Sequence, residues 1–151
     1  MTQKTEWATK ERSKRVLIII PIEPVEQQRP RATSQGGHVR VYDPPKVRKF
    51  KQQVAEFVKQ QPLPKFEDKE LSVQIKFFRK IQKSLTKKER ELRLSNVHRP
   101  KIKADLDNYI KSLLDALNGL VWDDDAKIVH LEADKYYAEQ PRIEIEVHER
   151  A

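Results

Sequence analysis

The 151-residue chain contains no cysteine. That excludes disulfides, thiolate nucleophiles and zinc sites built on sulfur, and it fits a cytoplasmic protein. Long apolar runs are missing too. The longest, Val16–Ile20, stops at Pro21. This is far short of the ~20 residues that span a bilayer, and too short for the apolar region of a signal peptide. No membrane partner is expected. The sequence shows no repeat and no heptad, and His38, His98, His130 and His148 have no metal-ligand spacing.

What the chain has in quantity is charge, with 36% charged against 37% hydrophobic residues and a net +8. Its length suits one domain, long enough to bury roughly 68–70% of its extended surface. The charge is unevenly placed. Residues 79–103 carry ten Lys or Arg against Glu89 and Glu91, whereas residues 104–151 carry twelve acids against five bases. A basic body favours a polyanion, because neutralised phosphates release counterions. An acidic patch inside that body repels phosphate unless a divalent cation offsets it.

Periodicity predicts an α+β single domain, a mixed β-sheet with helices packed on it. Residues 1–14 are polar and unpatterned, a loose tail ahead of a domain over 15–151. Arg15–Ile20 reads as a buried strand. Residues 21–45, with five prolines and Gly36-Gly37, read as a long loop with a short hairpin at His38–Tyr42. Asp43 is the expected N-cap of a helix opening at Pro44-Pro45. That helix carries Val47, Phe50, Val54, Phe57 and Val58 on one face and ends at Pro62. Leu71, Val73, Ile75 and Phe77 alternate as a half-buried strand. Ser84 or Thr86 is placed to cap a short helix running through Leu94. Leu106, Ile110, Leu113, Leu114 and Leu117 form one helical stripe, stopped by Asn118-Gly119. Two last strands, Ile128–Tyr137 and the one holding Ile143, Ile145 and Val147, are separated by Pro141 as in a hairpin.

Asp105 and Asp107 stand where the third helix begins. Residues two apart in extended chain point the same way, so both carboxylates can meet one ion. Asp107 in a first helical turn also suits the helix dipole, and Lys111 lies one turn further along the same side. Hard cations such as Mg²⁺ take oxygen ligands, and a cation such as Lys111 stabilises charge building on a phosphate. Spacing and charge leave another reading open, since Asp at a helix start is most often an N-cap. Acidic runs such as Asp123–Asp125 are often solvated turns. Arg29, Arg31, Arg40, Lys101 and Lys103 flank the acids in sequence and suit phosphate gripping. Trp122 suits packing better than base stacking. Tyr136 and Tyr137 alternate faces, so one should be core.

The run D-L-D-N-x-x-K-x-x-x-D-A-L-N-G from Asp105 to Gly119, followed by W-x-D-D-x-x-I-V through Val129, resembles the signature of the RusA family of Holliday junction resolvases. Arg29-Pro30-Arg31, Tyr42-Asp43-Pro44 and the closing Pro141–Glu146 also resemble that family, so about two thirds of the chain is covered. The resemblance implies a homodimeric, Mg²⁺-dependent endonuclease (with Mn²⁺ as a substitute) that resolves four-way DNA junctions by paired nicks in recombination and repair, without a small-molecule cofactor. It further implies Asp105, Asp107 and Asp125 as the essential aspartates, Lys111 as the functional lysine and Asp124 as a supporting acid. Members are often carried by phages and prophages. The choice of Asp125 over its two neighbours rests on the resemblance alone.

Three departures bear on substrate preference. Ala104 stands where many relatives have Pro, Lys127 replaces a usual Gln or Ser while Asp123 adds a third acid, and the basic stretch Ile81–His98 is longer than in compact members. Two other classes fit parts of the pattern. Asp125-Ala126-Lys127 is a D-x-K tripeptide, as used in restriction-enzyme-like nucleases, and the basic stretches alone would serve a non-catalytic DNA-binding protein.

Overall fold

A computed structural model describes residues 14–66 and 68–150; the tail predicted over residues 1–14 lies almost wholly outside them. Among the described residues six strands and three α-helices follow in order: β1 (Arg15–Ile20), β2 (Arg31–Gln35), β3 (His38–Tyr42), α1 (Pro45–Lys59), β4 (Leu71–Lys80), α2 (Lys87–Leu94), α3 (Leu106–Leu117), β5 (Ile128–Ala138) and β6 (Arg142–Glu149), with a 3₁₀ turn at Asp125–Lys127 before β5.

The main sheet has the order β1-β6-β4-β5. β6 is antiparallel to β1 and to β4, while β5 runs parallel to β4. A parallel neighbour cannot be reached by a tight turn and needs a crossover; residues 81–127, carrying α2 and α3, supply it. The predicted α+β architecture with a mixed sheet is therefore present. The hairpin expected across Pro141 is not. β5 and β6 are successive in the chain, but β4 lies between them and pairs with both. Alternating apolar residues mark a strand without naming its partner.

Alternation places Ile18 and Ile20, Leu71 to Phe77 by twos, and Ile143, Ile145 and Val147 on one sheet face. α1 covers that face with Phe50, Val54 and Val58, and α3 with Tyr109, Leu113, Ala116 and Leu117. Trp122 is fully buried in the same core, as its packing role predicts. Tyr137 is buried and Tyr136 is not.

The predicted 21–45 loop is half structured. β2 and β3 form a separate two-stranded ribbon closed by Gly36 and Gly37. Both glycines have positive φ, +59° and +78°, the backbone that a type I′ hairpin turn demands. The ribbon is amphipathic: Ala32, Ser34, Val39 and Val41 share one face, and Arg31, Thr33, Arg40 and Tyr42 the other. Val39 and Val41 remain 71% and 64% exposed.

The two helix starts differ from the expected capping. Thr86 caps α2, accepting from the Glu89 N–H at 3.2 Å. Asp43 does not cap α1. Pro44 occupies the N-cap position, so Asp43 sits one residue too early and makes no capping bond. Its carboxylate instead accepts from Lys51 Nζ at 2.8 Å and Gln27 Nε2 at 3.0 Å.

Candidate nuclease site

α3 organises the candidate site, with one acid group at each end. Asp105 holds its N-cap position with extended backbone (φ −68°, ψ 142°), yet its side chain makes no capping bond. The common structural use of an aspartate at this place is thus not taken up, and the exposed carboxylate is left for another partner. Asp107 lies in the first turn, where negative charge is favoured by the dipole. Lys111 and Asp115 continue its stripe at four-residue steps, all exposed. Among the described residues, neither Asp105, Asp107 nor Lys111 has an ion-pair partner.

The run-up to Asp105 is held from beneath by two cations. Lys135 Nζ donates to the carbonyls of Ile102 and Ala104, at 3.1 and 2.8 Å. Arg79 donates to the Lys103 carbonyl. Burial pushes the Lys135 ammonium below its ordinary range and nearby Arg79 adds to this, while the Asp105 carboxylate works the other way. These two residues were not anticipated. A signal existed, since Lys135 alternates with Ala133, which packs against the core, and the buried Tyr137. A cation at such a position needs acceptors.

A third contact ties the arginine-bearing segment to this end of α3. The Gln27 N–H donates to the Asn108 carbonyl at 2.9 Å, and Ser112, buried in the α3 packing face, donates to the Val25 carbonyl. Arg29 is two residues past Gln27, hence within about 7 Å of chain. Arg29, Arg31 and Arg40 are exposed, as are Lys101 and Lys103 just before Asp105.

The second acid group sits at the far end of α3. Gly119 turns the chain with φ +80° and donates to the Trp122 carbonyl at 2.8 Å. Asn118 Oδ1 then accepts from the Asp125 N–H at 3.0 Å. The Asn-Gly pair, legible as a helix stop, therefore also places Asp125. Asp124 caps the 3₁₀ turn through the Ala126 N–H, and Asp123 pairs with Lys65 at 3.3 Å. The neighbouring Asp124 carboxyl raises the Asp125 carboxyl, with burial and the charge of Asp115 adding to it. Asp124 is held below the ordinary range, chiefly by the Ala126 N–H and then by Asp125. Two adjacent carboxylates make a donor set whose mutual repulsion a hard cation would relieve.

α3 thus carries Asp105 and Asp107 at its N-terminal end and Lys111 near its middle, while Asp124 and Asp125 follow its C-terminal end. From Asp107 to Asn118 the helix rises about 16 Å. Among the described residues no three Asp, Glu or His side chains come together as a ligand group. Lys127 of the D-x-K tripeptide is paired with Asp68 at 2.9 Å. Among the described residues no helix is long and apolar enough to cross a membrane.

Exposed carboxylates and a lysine on one helix of a basic α+β domain are groups that metal-assisted work on phosphodiesters would use. The comparison with known families narrows this. Residues 21–148 match the family model described as Endodeoxyribonuclease RusA, and the chain belongs to that family of DNA-cutting enzymes. It is also 39% identical over 129 residues to Uncharacterized protein YqaN of Bacillus subtilis (strain 168), covering 84% of this chain and 91% of that one.

Proposed function

We propose that this chain is a Mg²⁺-dependent endonuclease that resolves four-way (Holliday) junctions by paired symmetric nicks, as a homodimer in DNA recombination and repair. The observation that carries the reading is the Asp105 carboxylate, set at a helix N-cap and spent on no capping bond, in a chain of the RusA family. Asp105, Asp107 and Asp125 would hold the ion, with Asp124 in support and Mn²⁺ as a substitute. When bound, such an ion polarises a phosphate oxygen and lowers the pKa of a water. Lys111, one turn beyond Asp107, places a fixed positive charge where the phosphate becomes more negative during attack. Arg29, Arg31, Arg40, Lys101 and Lys103 hold the flanking phosphates. Lys135 and Arg79 fix the backbone that presents Asp105.

Two arguments support the dimer. A symmetric junction offers paired strands that a two-fold protein can meet with two equivalent sites. Within one chain the two acid groups are also anchored to opposite ends of α3. A partner whose α3 lies antiparallel would bring its Asp125 end toward this chain's Asp105 end. The D-x-K reading is disfavoured, because the Lys127 ammonium is occupied by Asp68.

The test uses a labelled four-way junction with wild-type protein and Asp105→Asn. Wild type should nick opposite strands symmetrically with Mg²⁺ and stop when the ion is chelated. Asp105→Asn should bind the junction and leave it whole. Cutting by this variant at the wild-type rate would sink the site. Binding without any product from wild type, in Mg²⁺ and in Mn²⁺, would favour a non-catalytic DNA-binding protein.

A further inference from the structure

The long basic stretch before Asp105 builds a cavity. α2 ends at Leu94, and the Val97 and His98 N–H groups both return to the Leu92 carbonyl at 3.0 Å. The chain is thereby folded back toward β5. Arg93 is held twice: Glu89 accepts from its Nε at 2.9 Å, and its guanidinium carbon stands 4.5 Å from the Tyr137 ring centre. Arg99 is held in the same way, by Asp134 at 2.8 Å and at 4.4 Å over Tyr136. A cavity of about 390 Å³ lies against Arg93, Val97, Arg99, Lys101, Ile102 and Tyr137. Its apolar residues are uncovered, with Val97 at 65% and Ile102 at 52% exposure. Among the described residues Lys101 has no ion-pair partner.

We propose that this cavity receives one unstacked nucleobase of the DNA substrate, with Lys101 on an adjoining phosphate. The inference rests on the junction-cutting reading and adds a subsite to it. The volume falls within the ~300–1,000 Å³ of small-molecule sites. Guanidinium planes stack on bases, and these two are already oriented by a carboxylate and a tyrosine face, so little ordering is left for binding to supply. Glu89 and Asp134 neutralise them, which suits a planar neutral group better than a bare phosphate. Lys101 keeps its charge for the backbone.

Position favours DNA over an acidic peptide, whose carboxylates would meet Glu89 and Asp134. Lys101 is four residues before Asp105, at most about 14 Å of chain. That is about four base steps at 3.4 Å each. A strand with its phosphate at Asp105 can therefore reach this cavity. Bases beside a crossover lack a continuous stack on one side, and extruding a base costs least where pairing or stacking is already broken.

The experiment places 2-aminopurine, one position at a time, around the crossover of a four-way junction and adds the uncut complex of the Asp105→Asn protein. Fluorescence should rise at least about twofold at one or two positions within about four nucleotides of the cut. Val97→Asp with Ile102→Asp, both at exposed positions that folding does not bury, should abolish that rise and change junction affinity less than about tenfold, since rim phosphate contacts remain. A fully formed complex in which no position brightens overturns the subsite and leaves the nuclease reading standing. A rise that persists in the double variant puts the extruded base elsewhere and overturns the subsite too. Failure of the Asp105→Asn protein to bind junctions at all overturns both.

Discussion

Lys135 and Arg79 direct their charge at backbone carbonyls, an unusual use for cations beside a carboxylate cluster. Charge-assisted hydrogen bonds are among the stronger ones, and here they end one residue before Asp105. Their effect is positional, since they fix where the N-cap carboxylate points. Groups that orient ligand-bearing residues typically cost 10–100-fold when removed. Lys135→Met should therefore lower the rate of cutting at saturating junction by about 10–100-fold. Junction affinity, read by gel shift, should stay within about threefold. A loss of affinity equal to the loss of rate would make Lys135 a phosphate grip instead. The Asp105–Asp107 pair was legible from local spacing, because D-x-D at a helix start is a short-range pattern, whereas Asp125 rested on the family resemblance alone. Lys135 is 30 residues away from Asp105 in the chain, and only folding brings the two together.

Between elements, the Asp43–Lys51 pair joins three pieces around the site. Asp43 follows β3, Lys51 is on α1, and Lys51 also reaches Asp115 of α3 at 3.2 Å. The hydrogen bond from Lys51 holds the Asp43 carboxyl below its ordinary range; burial opposes this and Gln27 adds to it. A carboxylate depressed on folding contributes stability above its unfolded pKa of ~3.9, and that contribution fades as pH falls through the folded value. Asp43→Asn should cost about 1–2 kcal/mol at neutral pH. In urea melts the gap to wild type should hold down to about pH 5 and shrink as pH falls below about 4. A gap independent of pH would mean that the carboxylate charge contributes nothing. The helices on which these residues sit were visible in the sequence, because α1 and α3 each bury one 3.6-residue stripe. The pairing of β4 between β5 and β6 was not, because alternation encodes a buried face and no partner. The Asp43 cap failed for a local reason: Pro44 took the N-cap position and moved the acid one residue out.

Across the whole molecule the candidate site's acids stand at the two ends of α3, and the arginine-bearing segment leaves from its N-terminal end. The Gln27–Asn108 bond makes this a structural coupling, since it docks the strand leading to Arg29 and Arg31 on the first turn of the helix that begins after Asp105. A two-stranded ribbon alone is marginally stable in water, and this one keeps two valines exposed. On the proposed reading its basic face binds DNA phosphates. Each phosphate neutralised on duplex DNA adds about −0.9 to the slope of log affinity against log salt. Arg29→Ala, Arg31→Ala and Arg40→Ala combined should therefore make the slope shallower by about 2–3 over roughly 50–200 mM salt. The measurement is fluorescence anisotropy of a labelled junction with the Asp105→Asn protein, with and without the three changes. Because the three arginines are exposed and outside every ion pair among the described residues, the triple variant should melt within about 0.5 kcal/mol per site of the parent. An unchanged salt slope in a folded variant would remove the ribbon from the DNA interface and leave Lys101, Lys103 and the α2 region to hold the phosphates.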